Sequence, residues 1–222
     1  VSVQGHDIAF YEKLNLGTTK PTIFDVGANV GDMTKLFRRI WPNSRIICFE
    51  PNPAAYRRLD EETFDMENVQ VHGCGLSEEP GVAKLHFAGG PDESASLHRR
   101  DLSYAGVELH PHIVTVEIRA LSEYLGGGEV DLLKLDAEGH ELAILRGAGF
   151  LLRPDWVKRI AFEFNSCNLD SRTFLKDFWD LLVVERGYSL FQIDSGGEVT
   201  LVENYDPSLE DFAAHREFIA TG

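Results

Sequence analysis

At 222 residues, with 43% hydrophobic and 26% charged side chains, the chain has the composition of one well-buried globular domain. Its net charge of −15 argues against a nucleic-acid or anionic-membrane surface, either of which needs a basic face, and favours a neutral or cationic small molecule as partner. No apolar run is long enough to span a bilayer, no charged-then-apolar leader is expected from the opening residues, and a start at Val1 without a methionine leaves a trimmed N-terminus open. Cys48, Cys74 and Cys167 are odd in number and widely spaced, so neither a disulfide framework nor a zinc knuckle is expected, and a reducing cytoplasm is the expected setting.

Taken in chain order, Ile8, Phe10, Tyr11 and Leu14 approach helical spacing, and residues 1–20 read as an N-terminal cap segment. Ile23, Phe24 and Val26 then form a short buried strand that stops at Gly27, and residues 32–40 after Gly31 have helical spacing. A strand that turns through glycines into a helix brings bare backbone N–H groups to a ligand. The dinucleotide fingerprint requires G-x-G-x-x-G. Here Asp25-x-Gly27-x-x-x-Gly31 places an acid two residues before the first glycine, which suits a cationic group better than a pyrophosphate.

Residues 45–50 read as a second strand ended by Pro51-Asn52-Pro53, residues 54–62 as a helix, and residues 69–73 as a third strand. Residues 82–87 and 113–118 both alternate and look like half-exposed partners. Between them, residues 88–112 are too long for a compact connection and read as a lid or substrate loop. Within it His98, Arg99, Arg100 and Tyr104 could touch a polar ligand or simply be solvated, and His110-Pro-His112 reads as solvated loop. Residues 131–136 form a strand, 140–145 a helix, 159–164 a strand and 174–184 a helix. Residues 188–193 and 198–202 flank Asp194-Ser-Gly-Gly, a hairpin signal whose edge could serve a homo-oligomer. Alternating strands and helices predict a mostly parallel sheet with helices on both faces and a C-terminal antiparallel hairpin, in one domain over 1–222.

In such a sheet the ligand sits at the carboxyl ends of the strands. Those ends carry Asp25, Glu50, Gly73-Cys-Gly-Leu-Ser77, Asp136 and Glu163-Phe-Asn165. Glu50 follows the glycine turn by about twenty residues, the separation at which a carboxylate accepts from both ribose hydroxyls. Asp25 and Gly27 would floor an amino-acid tail, Gly31 would let the helix pack close, and Asn29 would cap that helix or touch the ligand. Lys134 and Asp136 share a strand face, as do Glu163 and Asn165. That many polar groups in one place hold a ligand or pair among themselves, as Lys134 with Glu163. Glu138 and Glu141 suit the helix dipole whatever their function, whereas His140 could be a general base.

Together, Phe24-Asp-Val-Gly-Ala-Asn-Val-Gly31, Phe49-Glu-Pro-Asn-Pro53, Gly75-Leu-Ser77, Leu133-Lys-Leu-Asp-Ala-Glu-Gly-His-Glu141 and Ala161-Phe-Glu163 resemble the FkbM-type methyltransferases, a group within the class I, Rossmann-like methyltransferases. The resemblance implies a mostly parallel seven-stranded sheet, S-adenosylmethionine as donor and O-methylation of a small-molecule hydroxyl, typically on a sugar or natural-product scaffold. It implies that Asp25, Gly27, Asn29 and Gly31 line the methionine half, Glu50 holds the ribose, Gly75, Leu76 and Ser77 lie against the adenine, and Asp136 sits near the sulfonium. Many class I enzymes place an acid on the third strand for the adenine amino group; Gly73-Cys74-Gly75 stands there instead. Asp136 is the first candidate for the base that takes the hydroxyl proton, with His140 and Glu138 behind it. A Mg²⁺ on Asp136, Glu163 and Asn165 is the less favoured route, because Lys134 already supplies positive charge. The rival readings are an NAD(P)-dependent oxidoreductase, which the missing second glycine disfavours, and a non-catalytic nucleoside-binding module.

Overall fold

The computed structural model describes residues 5–88, 95–100 and 109–222. Strand β1 (Thr22–Val26) is a run of β-branched and aromatic residues around one acid. It is followed by α2 (Asp32–Ile40), after the helix α1 (Gly5–Lys13), by β2 (Arg45–Phe49) and by α3 (Pro53–Thr63). Asp32 in the first turn of α2 and Arg38 and Arg39 in its last complement the helix dipole. Helix α3 starts on Asn52, whose side chain accepts from the Ala54 N–H, with Pro53 at the first helical position. Next come β3 (Val69–His72), β4 (Gly75–Ser77), β5 (Gly81–Ala88), β6 (Ala95–Ser96), β7 (Leu109–Ala120), β8 (Leu132–Leu135), α4 (Glu141–Gly147) and β9 (Arg159–Phe164). The chain ends with α5 (Cys167–Ser171), α6 (Leu175–Trp179) running on into a wider turn over Asp180–Glu185, β10 (Ser189–Ile193), β11 (Val199–Leu201) and β12 (Arg216–Thr221).

The main sheet has eight strands in the order β11-β10-β12-β9-β8-β1-β2-β3. Strands β3, β2, β1, β8 and β9 are mutually parallel, and β12 runs antiparallel between β9 and β10. The expected count of seven is therefore one short. The terminal hairpin is not joined directly to the parallel strands, because β12 takes that place. Residues 82–87 and 113–118 do pair with each other, Lys84 opposite Thr115, but in a separate four-stranded sheet, β4-β7-β5-β6. Strand β7 starts at Leu109, so His112 belongs to a strand rather than to a solvated loop. The rest of the expected lid, residues 89–94 and 101–108, lies outside the described residues.

The alternation of each strand separates two apolar layers. Phe24, Val26, Ile47, Phe49, Leu133, Leu135 and Phe162 pack toward α4 and α6, where Phe162 stacks on Phe178 at 4.6 Å. Ile23, Ile46, Cys48 and Leu132 pack toward Leu36 and Phe37 of α2, Leu59 of α3 and Phe10 and Tyr11 of α1. Helix α1 thereby covers part of that face. Among the described residues no helix is long and apolar enough to cross a membrane.

Helix α4 approaches β4 at Gly147, where a Cβ would overlap the Ser77 carbonyl oxygen. Gly147→Ala is expected to lower stability by about 2–3 kcal/mol, measured by urea denaturation, because α4 must lift from backbone that cannot yield. A loss below about 0.5 kcal/mol would contradict that contact.

Candidate functional site

Strand order reverses between β1 and β8, the point at which open α/β sheets bind ligands. A cavity of 420 Å³ opens there at the carboxyl ends of the parallel strands. It is large enough for a nucleoside-sized molecule.

The turn after β1 is built on backbone. Gly27 and Ala28 donate N–H to the Phe49 carbonyl at 3.0 and 3.1 Å, which ties this turn to the end of β2. Gly27 has a φ of +75°, and a Cβ on it would overlap the carbonyl oxygen of Asp136. Gly31 is also left-handed (φ +89°), but its Cβ would meet side chains alone, Leu59 at 2.8 Å and Thr63 at 3.8 Å. Gly27 and Asn29 line the cavity, whereas Gly31 does not and acts in helix packing.

Glu50 is buried beside that turn. Its Oε2 accepts from the Asn29 N–H and its Oε1 from the Asn52 N–H, both at 2.8 Å. Two backbone donors fix the carboxylate in one orientation and leave lone pairs facing the cavity that it lines. Burial pushes the Glu50 carboxyl up to about 7, against the two N–H bonds.

Asp25 does not line the cavity, contrary to the expected floor under an amino-acid tail. It is fully buried on the opposite face of β1, where Thr34 Oγ1 donates to it at 2.7 Å. Its other oxygen lies 3.6 Å from Lys134 Nζ, and that ammonium lies 3.2 Å from Asp136 Oδ2. Burial works against the Lys134 charge, but Asp136, Asp25 and Glu163 together outweigh it and hold the group protonated. The alternative reading of a Lys134–Glu163 ion pair gives way to these two pairs, with Glu163 acting on Lys134 through its charge. Asp25 thus acts on the cavity through Lys134.

The segment from Asp136 to Glu141 is a tight turn held from below by Glu141. The buried Glu141 Oε1 accepts from the Ala137 N–H at 2.7 Å and the Gly139 N–H at 3.2 Å. This carboxylate is more than a helix-dipole complement, and burial pushes it up to about 7. Glu138 adopts φ +51° and Gly139 φ +95°, with a Gly139 Cβ falling 2.6 Å from the Cys167 carbonyl oxygen. The Glu138 carboxylate accepts from Arg100 at 3.2 Å and from the Cys167 thiol at 2.9 Å. His140 has both ring nitrogens engaged, Nε2 with Ser77 Oγ at 2.9 Å and Nδ1 with His98 Nε2 at 3.0 Å. Burial and then His98 lower its pKa to about 4, so the ring is neutral at pH 7. Among the described residues the Asp136 side chain accepts from Lys134 alone, at 3.2 Å, whereas the side chains of His140 and Glu138 each engage two partners. Ser77 lies off the cavity, holding His140, while Leu76 lines it.

The far wall is one that sequence reasoning missed. His215 and Glu217 come from β12 and its approach, and Phe212 from the loop before it. Glu163 accepts from Asn165 Nδ2 at 3.2 Å and lies 3.6 Å from His215 Nε2. Burial and the Asp136 charge raise the Glu163 carboxyl well above the ordinary range. Glu163, His215 and Glu217 bring their ligand-type atoms within 4.8 Å of one another. The β9–β12 pairing that sets Glu217 opposite Glu163 had no turn or alternation signal to announce it.

A family model, the Methyltransferase FkbM domain, matches residues 25–190, the span that holds the Gly27 turn, Glu50 and the Asp136 turn. The chain belongs to the FkbM methyltransferase family. Among relatives of this FkbM domain, Methyltransferase 1 of Beauveria bassiana is 33% identical over 142 residues, covering 56% of this chain and 57% of that protein. The 2-O-methyltransferase NoeI of Sinorhizobium fredii is 25% identical over 141 residues, covering 57% of each. The matches thus span somewhat over half the length of these relatives. The crystal structure of an FkbM methyltransferase from Methylobacillus flagellatus aligns at a TM-score of 0.57 with 15% identity, over 90% of this chain and 44% of that one. A likeness at that identity establishes the class I methyltransferase fold.

Gly27→Ala is expected to cost about 3–4 kcal/mol, combining a left-handed φ with overlap on backbone, and Gly31→Ala only about 1–2 kcal/mol, since a leucine side chain can move. Denaturation midpoints of the two variants compare them; equal losses would contradict the backbone contact at Gly27.

Proposed function

We propose that this FkbM domain binds S-adenosylmethionine across the β1 and β2 ends and transfers its methyl group to a hydroxyl of a small molecule, a sugar or a natural-product scaffold. Glu50 carries the reading: a carboxylate oriented by the Asn29 and Asn52 N–H groups presents two acceptors side by side, which suits the vicinal hydroxyls of a ribose. The Gly27–Asn29 turn offers bare backbone to the amino-acid end, and Leu76 and Gly75 offer an apolar edge to the base. An acid-rich cavity favours a cationic sulfonium. When bound, the donor supplies a methyl group activated by sulfonium; the neutral thioether leaves as the acceptor oxygen bonds to carbon.

Asp136 takes the acceptor's hydroxyl proton in this reading, steadied by Lys134, while His140 and Glu138 shape the turn that carries it. Lys134 supplies the positive charge that a Mg²⁺ would otherwise bring, so turnover is expected to survive chelators. Two relatives lend support to the acceptor class, being named a 2-O-methyltransferase and a hexuronic acid methyltransferase. Three free, buried cysteines are in keeping with a reducing cytoplasm.

Calorimetry with S-adenosylhomocysteine tests the donor site. Glu50→Gln is expected to weaken binding by roughly 10–100-fold, the loss of hydrogen bonds to a charged acceptor. Because binding favours the charged carboxylate and burial raises it to about 7 in the free protein, affinity is expected to be constant above that pH. Below it, affinity should fall by up to about tenfold per unit. No heat with folded wild-type protein would end the proposal. With radiolabelled donor and a panel of sugars and hydroxylated metabolites, Asp136→Asn is expected to lose roughly 10²–10⁴-fold in turnover while still binding the donor. Unchanged turnover would remove Asp136 from the chemistry.

A further inference from the structure

Residues 95–100 meet the Asp136–Glu141 turn at three points. The buried Ser96 donates from Oγ to the Glu138 carbonyl at 2.8 Å. His98 lies ring nitrogen to ring nitrogen with His140 at 3.0 Å. Arg100 donates to the Glu138 carboxylate at 3.2 Å and to Ser166 Oγ at 3.4 Å, with its Nε 3.9 Å from Asp170. Ser96 Oγ also accepts from the His98 N–H at 3.0 Å, so the three contacts form one connected set.

The turn they touch is strained. Glu138 holds a left-handed φ of +51°, which a residue with a Cβ keeps only where its surroundings over-determine it. Its carbonyl is held by Ser96 and its carboxylate by Arg100 and Cys167. Arg100 is mostly buried and already faced by two acids, Glu138 and Asp170, which leaves it poorly suited to draw in an anionic acceptor. A planar fork reaching three partners on two elements suits bracing instead.

We propose that Ser96, His98 and Arg100 are positioning residues for the transfer centre. They hold Glu138 and His140 in place, and through them the backbone that sets Asp136 beside the donor. This rests on the reading of Asp136 as proton acceptor and of the cavity as the donor site. It assigns function to part of a segment whose polar residues would otherwise be solvated.

Amide hydrogen exchange combined with S-adenosylhomocysteine calorimetry tests the role. Arg100→Ala and His98→Ala are each expected to speed exchange at Ala137 and Gly139, the amides bound to Glu141, by about tenfold, and to weaken product binding by a similar factor. Exchange at Ile23 and Ile46 in the sheet should not change. Arg100→Lys is expected to restore only part of the loss, since a single nitrogen replaces the fork that reaches Glu138 and Ser166 from two separate nitrogens. Unchanged turn exchange and affinity in both alanine variants would overturn the proposal. So would equal acceleration at Ile23 and Ile46, which would mark a merely structural effect. If Arg100→Ala does not fold, Ser96→Ala and His98→Ala carry the same comparison. Wild-type protein that binds no S-adenosylhomocysteine overturns the donor-site reading instead, while the exchange rates still judge the bracing.

Discussion

The backbone of the turn after β1 touches the backbone of the turn after β8, and the site depends on that contact. Gly27 makes it possible: with no Cβ and a positive φ, it lets the Asp136 carbonyl lie where any other side chain would begin. The same turn donates to Phe49 and Glu50, so the ends of β1, β2 and β8 are fixed relative to one another. A carboxylate suited to a ribose and a carboxylate suited to a proton transfer are thereby placed in one cavity. Orientation of this kind supplies much of the rate in a displacement whose reacting groups need only be brought into line.

Charge is arranged around the same junction. Glu50, Asp136, Glu138, Glu163 and Glu217 line the cavity, with Lys134 and Arg100 set among them. Lys134 joins the buried Asp25 to Asp136 and keeps two acids from facing each other uncompensated. Glu50 and Glu141 are pushed upward by burial and steadied by backbone N–H groups, Glu50 also by the Lys134 charge. Such a field receives a cation more readily than the neutral product formed from it, which suits release after transfer.

Much of this was legible in the sequence, and the reasons differ from residue to residue. The Gly27 turn and Glu50 end runs of β-branched and aromatic residues and Asp136 ends a leucine-rich run, so these apolar runs marked their positions. Gly31 was read both as a packing glycine and as part of the cofactor lining; it packs against Leu59 and does not line the cavity, because its turn faces α3. Asp25 was misplaced because strand alternation, applied strictly, turns it away from the face of Phe24 and Val26 and into the layer with Thr34. His140 looked like a base because an unperturbed imidazole titrates near neutrality; its two partners, Ser77 and His98, lie far away in sequence, and only the tertiary structure shows that both nitrogens are engaged. Strand β12 escaped notice because an antiparallel strand inserted between two others needs no local turn signal. With it went Glu217 and His215, and hence the far wall of the cavity.

A crystal structure of the complex with S-adenosylhomocysteine tests the central claim most directly. Both ribose hydroxyls are expected within hydrogen-bond distance of the Glu50 carboxylate, the amino-acid end against the Gly27–Asn29 backbone, and the sulfur directed toward Asp136. A ligand seated elsewhere, or one whose ribose leaves Glu50 bonded only to Asn29 and Asn52, would contradict it.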